Sequence, residues 1–188
     1  MIATAPRSLL PALTGARILA VPVVMALILS GPNHETAYTA AAVVFAVAAS
    51  TDFLDGYLAR RWAVTTKLGS FLDTTADKLL VTGALIALVD VGRASAWIAA
   101  IIVGRELLIL GLRGVVAADG TVFPPSIWGK LKTNVQFVAI FLAIVRWGGD
   151  IGRLRFDEWA MIAAAAITVI SAVEYIARFS SALSKDAR

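Results

Sequence analysis

The sequence has no cysteine and a single histidine, His34. Disulfides and thiol chemistry are therefore excluded, and His34 has no second His or Cys with which to hold a metal. Charge is also scarce. Asp, Glu, Lys and Arg make up 16% of the chain, against 59% hydrophobic residues and a mean hydropathy of +0.81. Soluble domains are less apolar and carry about 25% charged residues. No basic stripe lies on a soluble element, so the net charge of +4 and the pI near 9.8 do not point to nucleic acid. In an apolar chain the same surplus reads as basic loops facing the cytoplasm and anionic headgroups.

What the chain has in abundance is long apolar runs. A bilayer core of about 30 Å takes about 20 helical residues to cross. Six segments qualify: 9–29, 35–61, 67–91, 94–118, 127–147 and 157–181. Turn-forming Ser30-Gly31-Pro32-Asn33, Gly92, Asp119-Gly120, Pro124-Pro125 and Gly148-Gly149 separate them. The first is long for a signal peptide and lacks a small-residue cleavage site, so it is read as a helix. The expected fold is all-α, a six-span membrane protein forming one domain over residues 1–188. With a cytoplasmic N-terminus, Arg7, Arg60, Arg61, Lys67, Arg113, Lys130, Lys132, Arg178, Lys185 and Arg188 fall on the inner side. The outer side receives Arg93, Arg146, Arg153 and Arg155. Both termini inside is the favoured orientation.

Against this background one stretch is anomalous: STDFLDGYLARRWAVTTKLGSFLDTTADK, residues 50–78, with four aspartates between apolar segments. Asp52 and Asp55 are three apart and Asp73 and Asp77 four apart, so each pair shares a helix face. Segments 2 and 3 are expected to be antiparallel neighbours, which would bring the four carboxylates into one cytoplasm-facing cavity. Four anions beside apolar walls are costly unless protonated or neutralised by cations. An all-oxygen set suits hard ions such as Mg²⁺ or Mn²⁺, and two of them with open positions suit phosphoryl chemistry. Gly56, Ala59 and Gly69 leave space on the same faces, or permit close helix approach.

The pattern Asp52-x-x-Asp55-Gly56-x-x-Ala59-Arg60, eight residues, Gly69-x-x-x-Asp73-x-x-x-Asp77 resembles the signature of the CDP-alcohol phosphatidyltransferases at every fixed position. The resemblance implies a six-helix membrane enzyme, commonly a homodimer, that attacks a CDP-linked lipid with an alcohol and displaces CMP. Carried over, Asp52, Asp55 and Asp73 would ligate metal, and Asp77 would lie near a second ion and act as base. Gly56, Ala59, Arg60 and Gly69 would accommodate the CDP portion.

Three further stretches resemble the phosphatidylglycerophosphate synthase branch of that family. They are Phe71-Leu72-Asp73-Thr74-Thr75-Ala76-Asp77-Lys78, Arg105-Glu106 with Leu112-Arg113, and Gly129-Lys130-x-Lys132-Thr133-x-x-Gln136. Thr74 stands where that branch commonly has Pro, and the N-terminal Leu10–Thr14 lacks its frequent Pro-Asn. The branch implies CDP-diacylglycerol as donor and sn-glycerol 3-phosphate as acceptor, in a bacterial inner membrane. Charge agrees with an anionic acceptor. Arg105 lies inside an apolar segment and wants an anionic partner, and Arg113, Lys130 and Lys132 line the same side. Each has an ordinary alternative: Arg105 pairing with Glu106, the lysines as inner-side anchors. Phosphatidylglycerol or inositol phosphate are rival acceptors within the family. A divalent-cation transporter is the rival from another class, but it would spread its acids through the membrane depth, whereas these sit at one side. Trp97, Trp128, Trp147 and Trp159 near segment ends read as an interfacial aromatic belt.

Overall fold

The structure, a computed structural model, describes residues 9–62, 67–118 and 127–186. Within these, side chains are placed except at 9–12, 52–62, 67–71, 73, 116–118, 127, 130 and 181–186. It is all-α but for one minimal hairpin. The helices are α1 (Leu9–Ser30), α2 (Glu35–Trp62), α3 (Lys67–Asp90), α4 (Ala96–Ala118), α5 (Ile127–Val145) and α6 (Phe156–Asp186). Each apolar segment of the sequence becomes one helix, with ends displaced by a few residues. Two of these are apolar and long enough to cross a bilayer among the described residues: α1 over Leu13–Ser30 and α6 over Phe156–Ser180. The chain forms two compact units, Met1–Arg93 and Ala94–Arg188.

In the first unit α1 packs along both α2 and α3, while α2 and α3 meet over much less of their length. The buried faces follow helical spacing. Thr14, Arg17, Val24 and Ile28 line α1; Tyr38, Ala41, Ala42, Phe45 and Ala48 line α2; Leu80, Ala84, Leu85 and Leu88 line α3. Pro22 sits inside α1 and withholds one amide from its ladder.

One turn closes the end opposite the aspartates. The Gly31 amide donates to Ile28 O at 3.0 Å and the His34 amide to Ser30 O at 3.1 Å, which turns α1 into α2. Gly31 lies directly under the Tyr38 ring, and a Cβ there would overlap it. The ring cannot retreat, because the Arg93 guanidinium stacks on it 3.2 Å from its centroid. Gly31→Ala is therefore expected to cost about 1–3 kcal/mol, the range for overpacking a filled site. A thermal melt of the purified protein checks it, and an unchanged melt would mean the ring shifts freely.

In the second unit α6 packs on both α4 and α5. Between α5 and α6 the chain forms a hairpin, β1 (Asp150–Ile151) and β2 (Leu154–Arg155), paired Asp150 to Arg155 and Ile151 to Leu154. Gly152 opens its two-residue loop at φ 71°, a conformation that glycine takes without a Cβ penalty. Here the structure departs from the plain loop expected of residues 146–155. Arg155 is an internal tie: it donates to the carbonyls of Arg146 at 2.8 Å and Gly148 at 3.0 Å and pairs with buried Asp157 at 3.3 Å. Its own amide donates to Glu158 Oε2 at 2.9 Å, which caps the start of α6. Trp159 Nε1 donates to Ile151 O and holds the hairpin against the helix. Trp97, Trp128, Trp147 and Trp159 are all exposed near helix ends, as the aromatic-belt reading expects.

Candidate functional site

Helix register places the signature residues before any side chain is considered. Asp52, Asp55, Gly56, Ala59 and Arg60 fall in the last third of α2, and Gly69, Asp73 and Asp77 in the first half of α3. Only residues 63–66 join the two helices, so both acid-bearing parts lie at the same end of the unit. At 1.5 Å per residue, Asp52 and Asp77 are each ~15 Å from that link, and Asp55 and Asp73 ~10 Å from it. The acids therefore match in depth, pair for pair. The side chains of Asp52, Asp55, Asp73, Gly56, Ala59, Arg60 and Gly69 lie outside the described residues.

Asp77 is described. It is half-buried, with one carboxylate oxygen withdrawn from solvent, next to fully buried Ala76. Asp77 follows the buried stripe of α3 by helical spacing, so the acid points along the packed side of the helix rather than away from it.

The approach to Asp52 is organised from α1. Arg17 is 2% exposed; its Nε donates to Ala48 O at 3.3 Å and its Nη2 to Thr51 Oγ1 at 3.4 Å. Thr51 in turn donates to Ala48 O at 2.7 Å. A buried guanidinium thus holds the α2 turn that immediately precedes the first signature aspartate. In the sequence Arg17 is only a charge inside an apolar run. An arginine there implies a partner, but nothing in the linear order says which helix supplies it.

The second unit carries the basic residues read as phosphate-binding. Arg105 and Arg113 are on α4, and Lys130 and Lys132 on α5. Lys130's side chain is outside the described residues. Arg113 is exposed and stacks over the Tyr175 ring of α6 at 5.8 Å from the centroid. Arg105 and Lys132 share one acid. Arg105 Nη1 donates to Glu106 Oε1 at 3.2 Å, and Lys132 Nζ forms an ion pair with the same oxygen. Arg105 Nη2 also donates to Ser171 Oγ on α6 at 2.7 Å. One turn away, Gln136 Nε2 donates to Thr168 Oγ1 at 2.7 Å. Glu106, Lys132, Gln136, Thr168 and Ser171 are all buried, forming a polar seam shared by α4, α5 and α6.

Among the described residues, two cations meet one carboxylate here in a water-poor setting. Such a cluster is suited to a dianion, for which a planar guanidinium offers a fork and an ammonium a point charge. The Arg105–Glu106 pairing was weighed from the sequence. Ser171 was missed, because a serine within an apolar run carries no signal of its own.

Comparison with known proteins places this geometry in context. A family model described as CDP-alcohol phosphatidyltransferase matches residues 9–170, which takes in both units. A Bacillus subtilis (strain 168) protein named CDP-diacylglycerol–glycerol-3-phosphate 3-phosphatidyltransferase is 36% identical over 182 residues, covering 91% of this chain and 94% of its own. An Escherichia coli (strain K12) protein of the same name is 42% identical over 146 residues, 73% of this chain and 76% of its own. A Mycobacterium tuberculosis (strain CDC 1551 / Oshkosh) protein named probable phosphatidylglycerophosphate synthase is 41% identical over 167 residues, 88% of this chain and 78% of its own.

Proposed function

The chain belongs to the CDP-alcohol phosphatidyltransferase family, and from that premise we propose that it transfers the phosphatidyl group of CDP-diacylglycerol to sn-glycerol 3-phosphate. The products are phosphatidylglycerophosphate and CMP. The observation that carries this reading is the unbroken signature, with its acids set at matching depths on α2 and α3. The names of the relatives and the positive cluster around Glu106 support the acceptor.

In this reading a hydroxyl oxygen of glycerol 3-phosphate attacks the phosphorus that bears the diacylglycerol. The bond from that phosphorus to the CMP oxygen breaks, and CMP departs with the electron pair. Asp77 accepts the hydroxyl proton as attack proceeds. Gly56, Ala59, Arg60 and Gly69 form the CDP-binding surface, where small residues let the nucleotide approach the helices. Arg105, Arg113, Lys130 and Lys132 hold the acceptor's phosphate.

The four carboxylates are an all-oxygen donor set on two neighbouring helix ends, which fits two hard divalent cations, Mg²⁺ or Mn²⁺. Bound between Asp52, Asp55, Asp73 and Asp77, they would supply positive charge to the diphosphate and stabilise the leaving CMP. We place the whole of residues 1–188 in one catalytic domain, with six spans, a homodimeric assembly, and both termini and the site on the cytoplasmic side of a bacterial inner membrane.

CMP release from purified protein tests the reading, with CDP-diacylglycerol and each acceptor supplied separately. Release is expected with glycerol 3-phosphate and is expected to vanish in EDTA and return with added Mg²⁺ or Mn²⁺. Release with only phosphatidylglycerol or inositol phosphate would keep the chemistry and replace the acceptor. Turnover that survives exhaustive chelation would remove the metals from the mechanism.

A further inference from the structure

Arg146 holds a backbone conformation that side chains other than glycine avoid. Among the described residues it is the one non-glycine at positive φ, 53°. It stands just past α5, where the Trp147 amide donates back to Leu142 O at 3.1 Å, the long backward bond of a Schellman cap. The same cap ends α3. There the Arg93 amide donates to Leu88 O at 2.8 Å, and Gly92 fills the left-handed position at φ 69°. The chain thus closes two helices alike, once with glycine and once with arginine, and only the arginine carries the Cβ strain. A cation does complement a helix C-terminus, but it can do so from anywhere in the last turn, without a left-handed backbone. The cap itself gives no reason for arginine at 146, and strain kept at a residue without a task in the fold points to a task outside it.

The side chain agrees. The Arg146 guanidinium is exposed and makes no hydrogen bond or ion pair with the described residues, and the same holds for Arg153 in the hairpin loop. Arg155 is engaged inwards instead, and its bond to Arg146 O ties that backbone to β2. Arg146 and Arg153 therefore leave the turn from backbone points held together. Beside them Trp147, Ile151, Phe156 and Trp159 are 44 to 63% exposed, with Trp159 fixed by its bond to Ile151 O. Of the acids in the turn, Asp157 is paired with Arg155 and Glu158 caps α6. Asp150 is exposed, so two unengaged guanidiniums stand against one unengaged carboxylate.

Depth adds the partner. α5 is apolar up to Val145, and the long apolar stretch of α6 begins at Phe156. In the six-span arrangement proposed above, the turn between them lies at headgroup level on the outer surface. A phospholipid there presents a phosphate to guanidinium groups and glycerol and acyl carbons to aromatic rings. Exposed aromatic residues alone would accept any lipid, whereas unengaged arginines favour an anionic one.

We propose that the α5–α6 turn is a docking surface for an anionic phospholipid: Arg146 and Arg153 take the headgroup phosphate, and Trp147, Ile151, Phe156 and Trp159 rest against the adjoining glycerol and acyl carbons. The proposal rests on the six-span arrangement for the depth of the turn and is independent of the reaction.

The test uses the full chain in dodecyl maltoside, wild type beside Arg146→Gly and Arg153→Gln. Dioctanoyl phosphatidylglycerol and dioctanoyl phosphatidylcholine are titrated separately, with binding read by native mass spectrometry and stability by a lipid-free thermal melt. A donor pocket that also takes such a lipid is common to all three proteins, so the difference between them is what is read. Wild type is expected to bind phosphatidylglycerol more tightly than phosphatidylcholine. Each substitution is expected to weaken phosphatidylglycerol binding about fivefold, the contribution of one arginine near a headgroup surface. Arg146→Gly is expected to melt about 2–4 °C above wild type, because the left-handed strain is gone. CMP release with glycerol 3-phosphate is expected to stay near the wild-type value in both variants.

Equal phosphatidylglycerol affinity in the three proteins overturns the proposal, as does equal affinity of the wild type for the two lipids. Arg146→Gly melting below the wild type gives the arginine a part in the fold and overturns it too. Lipid selectivity that both substitutions weaken, in protein that releases no CMP, overturns the proposed reaction and leaves the docking surface standing.

Discussion

Replacing Asp77 with asparagine is expected to lower CMP release by about 10²–10⁴-fold, the range assigned to a positioned general base. Asparagine keeps the size and the hydrogen-bonding shape of the side chain but cannot take a proton. Asp77 lies deeper on α3 than Asp73, matched in depth with Asp52, and one of its carboxylate oxygens is withdrawn from water. A base in that position competes with little solvent for the acceptor's proton. The same substitution also removes one candidate metal ligand, so the two roles must be separated. Raising Mg²⁺ or Mn²⁺ to saturation restores turnover if only metal affinity has been lost. It leaves the rate low if the proton has nowhere to go. Normal turnover at saturating metal would remove Asp77 from the role of base.

The second large effect concerns stability. Glu106→Gln is expected to destabilise the protein by about 3–5 kcal/mol, because it removes the carboxylate that two buried cations share. Lys132 is 5% exposed and the Arg105 side chain 11%, so neither can turn to water without unpacking α5 or α4. The pairing itself is not the source of so large a number. Removing both members of a buried pair is often neutral, whereas removing one is not. The double variant Glu106→Gln with Lys132→Met is therefore expected to melt closer to the wild type than Glu106→Gln alone, while remaining deficient with glycerol 3-phosphate. Measured melts in one detergent check both. A single variant as stable as the wild type would mean the cluster is hydrated.

How much of this was legible before the structure depends on what each residue's neighbours are. The helices were readable because each is an apolar run of about the right length and four of the six are followed by glycine or proline, and those features act locally. The acid pairs were readable for the same reason: spacing within one helix fixes a face. The hairpin at 150–155 was not. Two-residue strands have no period to detect, and the arginine that organises them looks in sequence like any loop cation. The place of α1 was also hidden. It is apolar nearly all round, so its sequence does not say which neighbours it will choose, and only Thr14 and Arg17 mark its buried side. Partners far apart in the chain were the least accessible. Lys132 meets Glu106 across 26 residues and Ser171 meets Arg105 across 66, and in each case the distal member is chosen by helix packing.

The polar seam through α4, α5 and α6 also bears on how the protein is made. In the six-span arrangement proposed here, α1 and α6 can enter lipid on their own strength, for they alone among the described helices are long and free enough of charge. A charged residue at mid-span costs a solitary helix about 2.5–3.5 kcal/mol on insertion scales. Arg105 and Glu106 burden α4 in this way, and Lys132 burdens α5. Because the Glu106 carboxylate is the anion for Lys132, neither helix is at ease in the bilayer until the other is beside it. The charges that would serve the reaction would thus tie α4 to α5 within the membrane, each helix lowering the cost of the other's buried charge.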